Sequence, residues 1–72
     1  MSMEMASQER ALERFMENNA SILVKLETLK NYFENHMNIS PEKVGWGNVG
    51  NSDHVIEELD EIIDFLGIKE GD

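Results

Sequence analysis

A chain of 72 residues has room for one domain, and a core of this size seldom stabilises a monomer by more than about 3–5 kcal/mol. The lack of cysteine excludes disulfides and thiolate metal sites and favours a cytoplasmic location. Fifteen acidic against six basic residues give a net charge of −9, which repels nucleic-acid phosphates and anionic membrane surfaces. We therefore expect one domain (1–72) that is stabilised as a homo-oligomer and binds neither nucleic acid nor a membrane directly.

A heptad pattern predicts a long first helix, about residues 4–37. Apolar side chains recur every seven residues and again three residues later, which are the a and d positions of a helical seam. The second helix is too short to cover the N-terminal half of this seam, so we expect another copy of the chain to bury it. A polar residue at an a position can set the register and the number of subunits by pairing with its symmetry mate. The predicted oligomer seam consists of Met5, Leu12, Phe15, Met16, Asn19 and Ile22. Asn19 is that polar residue, and Met16 lies beside the a and d positions, at an e position.

An alternative is a monomeric three-helix bundle, with the first helix broken near Asn18-Asn19. Asparagine is a poor helix former and could end one helix and cap another. However, Phe15 and Ile22 lie seven residues apart on either side, so the apolar phase continues through the asparagines. The pattern favours one continuous helix.

The chain then changes character, and residues 38–51 are predicted to form a loop rich in Pro, Gly and Trp. Ser40 and Pro41 are typical of a short helical turn, as N-cap and first helical residue. The glycines at 45, 47 and 50 break any longer element.

A second, shorter helix is predicted at residues 52–66. Ser52 is its expected N-cap, Gly67 its left-handed terminator, and residues 67–72 its polar tail. The predicted fold is therefore all-α: a helical hairpin with an antiparallel second helix, assembled into a homo-oligomeric bundle.

The loop sequence GWGNVG, residues 45–50, matches the dinucleotide-binding pattern G-x-G-x-x-G. That pattern requires a preceding β-strand within a βαβ unit, and no strand pattern occurs in this sequence. We interpret the glycines as residues with positive φ in a tight loop, with Trp46 and Val49 packed against the end of the hairpin. The neighbouring polar side chains still form the most varied cluster of the chain, which makes the loop the candidate site for an anionic small molecule or nucleotide. The candidate ligand-binding residues are Trp46, Asn48, Asn51, Ser52 and His54.

The two histidines are the natural candidates for metal binding or catalysis. His54 precedes Glu57 and Glu58 at helical spacing, but no second pair of ligands with comparable spacing occurs. No serine is placed beside a base, and there is no cysteine nucleophile. We predict no metal, no cofactor and no enzymatic activity.

The second helix carries six carboxylates within twelve residues, with no Lys or Arg between Lys43 and Lys69. Such a surface is usually only solvated, yet a surface of one sign also attracts a basic partner or mimics nucleic acid in an inhibitor. The candidate partner-binding acidic face consists of Asp53, Glu57, Glu58, Asp60, Glu61 and Asp64.

The run HMNISPEKVGWGNVG, followed by an amphipathic helix, resembles small uncharacterised proteins encoded by bacteriophages and prophages. The resemblance covers about the second half of the chain and brings no known activity. It implies a phage accessory protein in the host cytoplasm. The function we favour is a small, acidic, non-enzymatic binding module that contacts a host component; the alternatives are a sponge for an anionic small molecule, a structural assembly factor, and a nucleic-acid-mimicking inhibitor.

Overall fold

The computed structural model describes residues 3–69 of the protein, and the side chains of residues 7–69. It contains two helices, α1 (Met3–Glu34) and α2 (Trp46–Leu66), with a short 3₁₀ turn at Pro41–Lys43 between them. No strand occurs within residues 3–69. The prediction of an all-α protein with two helices is confirmed. α1 and the turn that follows it at His36–Asn38 form one compact unit. The 3₁₀ turn at Pro41–Lys43 and α2 form another.

α1 is a single helix of 32 residues that continues without interruption through Asn18 and Asn19. At 1.5 Å per residue it is about 48 Å long. The break required by the three-helix alternative is absent, because the apolar phase that joins Phe15 to Ile22 favours helix more than the two asparagines disfavour it.

The end of α1 differs from the prediction, which extends the helix to residue 37. The helix ends at Glu34, and the side chain Nδ2 of Asn35 donates a hydrogen bond to the carbonyl oxygen of Asn31, at 2.9 Å. The next three residues, His36–Asn38, all have left-handed backbone angles, with φ of 54°, 55° and 58°. Asparagine and histidine tolerate this region better than most residues, whereas Met37 at the centre of the turn has no such preference.

The 3₁₀ turn matches the prediction for its first residues. Ser40 occupies the N-cap position with an extended backbone, and Pro41 follows at the first helical position. The side chain of Ser40 makes no capping hydrogen bond, so the turn is closed by backbone bonds alone. Lys43 N–H donates to Ser40 O at 2.9 Å, and Val44 N–H donates to Pro41 O at 3.3 Å.

The start of α2 also differs from the prediction. The helix begins at Trp46, not at residue 52, so Gly47 and Gly50 are helical and the predicted loop 38–51 ends at Gly45. Positive φ among the described glycines occurs only at Gly67. Each glycine in a helix costs about 1 kcal/mol relative to alanine. The earlier start is stabilised by the side chain of Asn48, whose Oδ1 accepts the backbone N–H of Gly45 at 2.9 Å.

The end of α2 agrees with the prediction. Gly67 has φ 70° and donates its N–H to Asp64 O, while Ile68 N–H reaches back to Ile63 O at 3.2 Å. This pair of hydrogen bonds is the Schellman arrangement, for which glycine is the preferred residue. Of the predicted tail, Gly67 to Lys69 are non-helical, and residues 70–72 lie outside the described part of the chain.

No side chain of residues 7–69 is buried; the least exposed ones are half-exposed. Within each of the two compact units, apolar side chains are therefore exposed along the helix. The antiparallel packing of α2 on α1 and the assembly of copies into a bundle stay predictions. Neither described helix has a stretch that is both long and apolar enough to cross a membrane.

Candidate functional site

The five candidate ligand-binding residues lie in the first three turns of α2. Asn48 and Ser52 belong to the half-exposed stripe, one helical turn apart. Trp46, Asn51 and His54 are exposed and are distributed around the other sides of the helix, since each residue adds about 100° of rotation. The structure therefore does not bring the five side chains together around a common space.

Two of these polar side chains are engaged in local hydrogen bonds. The Oδ1 atom of Asn48 accepts the backbone N–H of Gly45 at 2.9 Å, which is half of a capping box. The hydroxyl of Ser52 donates to the carbonyl oxygen of Val49 at 2.9 Å, so Ser52 acts within the helix rather than as its N-cap. The bond to Asn48 stabilises the start of α2, and the bond from Ser52 occupies its hydroxyl within the helix.

Trp46 does not pack as the expected plug, since its surface is 87% exposed. It borders a shallow apolar notch of about 310 Å³ together with Val44, Gly45 and Val49. None of the polar candidate residues contributes to the lining. The notch offers an aromatic surface, and the indole of Trp46 is the only polar side chain among the described residues that line it.

His54 lies beside Glu58 of the next turn, with 3.7 Å between Nε2 and Oε1. Both side chains are exposed. No group of three or more potential metal ligands converges within the described residues. This contact is a surface ion pair when the imidazole is protonated, and such pairs contribute little to stability.

The acidic face occupies the exposed side of α2. All six of its carboxylate residues are exposed, whereas the half-exposed residues Val55, Leu59 and Ile63 lie on the opposite side of the helix. Within the described residues the one basic group in ion-pair contact with these acids is the imidazole of His54. Apart from His54, the charged side chains of this face are therefore all acidic.

Phe65 is an exposed aromatic residue that was not among the predicted site residues. It follows Glu61 by one helical turn, and its side chain is 87% exposed. An aromatic ring exposed beside charged residues is typical of the anchoring residues of protein–protein interfaces. The sequence signal was present: Phe65 falls outside the phase of the Val55, Leu59 and Ile63 stripe.

The predicted oligomer seam lies on one side of α1. Leu12, Phe15, Met16 and Ile22 are exposed by 57%, 62%, 61% and 51%, and Asn19 lies among them. Met5 is helical, but its side chain lies outside the described part of the structure. The structure thus places five of the six seam side chains on a continuous, solvent-exposed surface.

No known protein family, curated protein or solved structure matches the chain. The function must therefore be inferred from the chemistry of these surfaces.

Proposed function

We propose that the protein is a non-enzymatic binding module that assembles as a homo-oligomer through the seam of α1 and holds a basic protein on the acidic face of α2. The resemblance to phage proteins suggests that this partner is a component of the bacterial host.

The proposal is carried by one observation: neither compact unit buries a side chain among residues 7–69, although the helix of each unit has an apolar stripe. Apolar surface exposed to water costs about 25 cal/mol per Å². Isolated helices are also marginal in water, because most helical stability in proteins comes from packing an amphipathic face. Contiguous exposed apolar surface of this kind is a mark of interaction sites.

The charge of α2 indicates what kind of partner would bind there. A surface with six carboxylates accelerates association with a positively charged protein and disfavours acidic ones. Phe65 adds an apolar group that can fill a pocket on the partner, so that binding does not depend on charge alone. We therefore expect a partner with a basic surface that surrounds an apolar pocket.

Charge reversal tests this binding surface. We expect the variant Glu57→Lys, Glu58→Lys, Glu61→Lys to lose the proteins that the wild type captures from a bacterial lysate, because its α2 surface no longer attracts a basic partner. Circular dichroism should show unchanged helix content. Capture by the wild type should weaken steeply between low and physiological salt, since charge interactions are screened over about 10 Å at 0.1 M ionic strength.

The matched control is the variant Glu13→Lys, Glu17→Lys, Glu27→Lys, which carries the same net charge but alters α1 away from its seam. It should capture the same proteins as the wild type. If the α2 variant still captures them, the acidic face is not the binding surface. If both variants lose them, net charge alone is responsible.

A further inference from the structure

We propose that two copies of α1 pair antiparallel, in the register that places Leu12 of one copy opposite Leu29 of the other. This inference rests on the homo-oligomer proposed above and adds to it the orientation and register of the interface.

The seam of α1 continues beyond Ile22 to Leu26 and Leu29, which are the next a and d positions and are also exposed. A second copy of α1 can cover it along this whole length. In an antiparallel pair, the a positions of one helix face the d positions of the other. Because the two copies are related by a two-fold axis, each facing a–d pair occurs twice in the dimer. The central layers are Leu12 opposite Leu29, Phe15 opposite Leu26, and Asn19 opposite Ile22.

The residues that flank these layers are complementary in the same register. The e positions lie four residues after the a positions and flank the seam. In an antiparallel pair they face each other, which places Glu9 of each copy opposite Lys30 of the other, so this opposite-charge pair occurs twice. Two more e positions, Met16 and Leu23, face each other and extend the apolar contact. Neither Glu9 nor Lys30 takes part in an ion pair within residues 7–69, so both charges are available to a second copy.

A parallel pair would bring like charges together. In a parallel pair, each g position, directly before an a position, faces the e position five residues further along the partner. Lys25 of each copy then faces Lys30 of the other, so this like-charge pair occurs twice. Lysines at such positions repel each other and are a natural device against the wrong orientation. Charge therefore favours the antiparallel orientation.

The neighbouring antiparallel registers lose this complementarity. A shift of one heptad in one direction places Lys25 opposite Lys25 of the second copy. A shift in the other direction places Glu9 opposite Leu23, and the opposite-charge pair is lost. In the favoured register, Asn19 faces Ile22 of the second copy. The sequence pattern predicts instead that Asn19 pairs with Asn19 of the second copy.

Two single substitutions test the orientation. Glu9→Lys and Lys30→Glu should each weaken self-association, by about tenfold in the dissociation constant, because each replaces two opposite-charge contacts by two like-charge contacts. An equimolar mixture of the two variants should form the mixed dimer in excess of the statistical proportion. In that dimer the new lysine at position 9 faces the new glutamate at position 30, and the unchanged Lys30 faces the unchanged Glu9. Sedimentation equilibrium measures the constants, and native mass spectrometry measures the mixed species.

The matched control is Glu17→Lys, which makes the same charge change on the side of α1 that faces away from the seam. It should associate like the wild type. If Lys30→Glu associates more tightly and the mixture is statistical, the helices pair in parallel, and the homo-oligomer survives while the orientation proposed here is wrong. If the wild type is monomeric throughout the micromolar range, the homo-oligomer itself is wrong.

Disulfide trapping gives a second measurement that does not depend on charge. The natural chain has no cysteine, so Leu12→Cys and Leu29→Cys each introduce a single thiol. When the two variants are mixed in a glutathione buffer, the antiparallel register predicts disulfides that join one chain of each variant. Disulfides between two chains of the same variant would overturn it, since the proposed register separates identical positions by about 25 Å along the helix axis.

Discussion

At the residue scale, the turn at His36–Asn38 is the least expected feature of the chain. Three consecutive residues other than glycine have φ between 54° and 58°. The left-handed region costs an L-residue about 1–2 kcal/mol because Cβ crowds the following carbonyl oxygen. Asn38 N–H donates to Asn35 O at 2.9 Å, and this bond holds the turn closed.

Glycine at this turn should therefore increase stability. We expect His36→Gly to raise the free energy of unfolding by about 0.5–1 kcal/mol, because glycine adopts positive φ without the Cβ penalty. Thermal unfolding followed by circular dichroism gives the measurement. Asn31→Gly, in the right-handed helix α1, is the control and should lower stability by a few tenths of a kcal/mol. A loss of stability in His36→Gly would show that the turn is not left-handed in solution.

At the element scale, the main finding is that α2 begins at Trp46 and includes two glycines. A Cβ atom added to Gly50 would meet no atom within 4 Å, so this position has no steric need for glycine. Gly67 is different, because its φ of 70° terminates the helix.

Alanine substitutions distinguish these two roles of glycine. We expect Gly50→Ala to stabilise the protein by about 0.5–1 kcal/mol, because alanine loses less conformational entropy in a helix. Gly67→Ala should destabilise it by about 1 kcal/mol, because the left-handed terminator becomes strained. The midpoint of thermal unfolding reports both changes. If Gly50→Ala lowers the midpoint, residues 45–50 form the loop that the sequence predicts, and α2 starts later.

At the scale of the whole molecule, neither compact unit buries a side chain among residues 7–69, so the contacts that stabilise the protein have to come from outside each unit. The two surfaces that matter lie on different helices: an apolar seam on α1 and an acidic face on α2. In the proposed function the seam serves self-association and the acidic face serves recognition, so each can be altered without the other.

Asn19 gives a test of the seam as a whole. We expect Asn19→Leu to raise the midpoint of thermal unfolding, because a polar side chain is removed from an apolar interface, and to broaden the distribution of subunit numbers. Calorimetry and sedimentation equilibrium measure the two effects. Asn18→Leu, one position outside the a and d positions, should change neither by as much. A lower midpoint in Asn19→Leu would place Asn19 outside the oligomer interface.

Local sequence patterns were sufficient to predict the helical class, the continuity of α1, the 3₁₀ turn at Pro41 and the terminator Gly67. Each of these features depends on residues close together in the chain: an apolar period that runs unbroken past Asn19, a proline that sets φ, and a glycine after the last helical residue. The distribution of the candidate ligand-binding residues around α2 could not be predicted in the same way. These residues are neighbours in sequence, but their side chains point to different sides because the segment is helical.

The start of α2 and the end of α1 became known only from the folded chain. At Gly47 and Gly50 the cost of helical glycine, about 1 kcal/mol each, is opposed by the backbone hydrogen bonds of the added turns and by the hydrogen bond that Gly45 N–H donates to Asn48 Oδ1. At His36 the cost of left-handed backbone opposes the hydrogen bonds of the turn in the same way. Where opposing local terms are this close, composition and spacing do not decide between them, and only the backbone angles and hydrogen bonds of the structure show which one prevails.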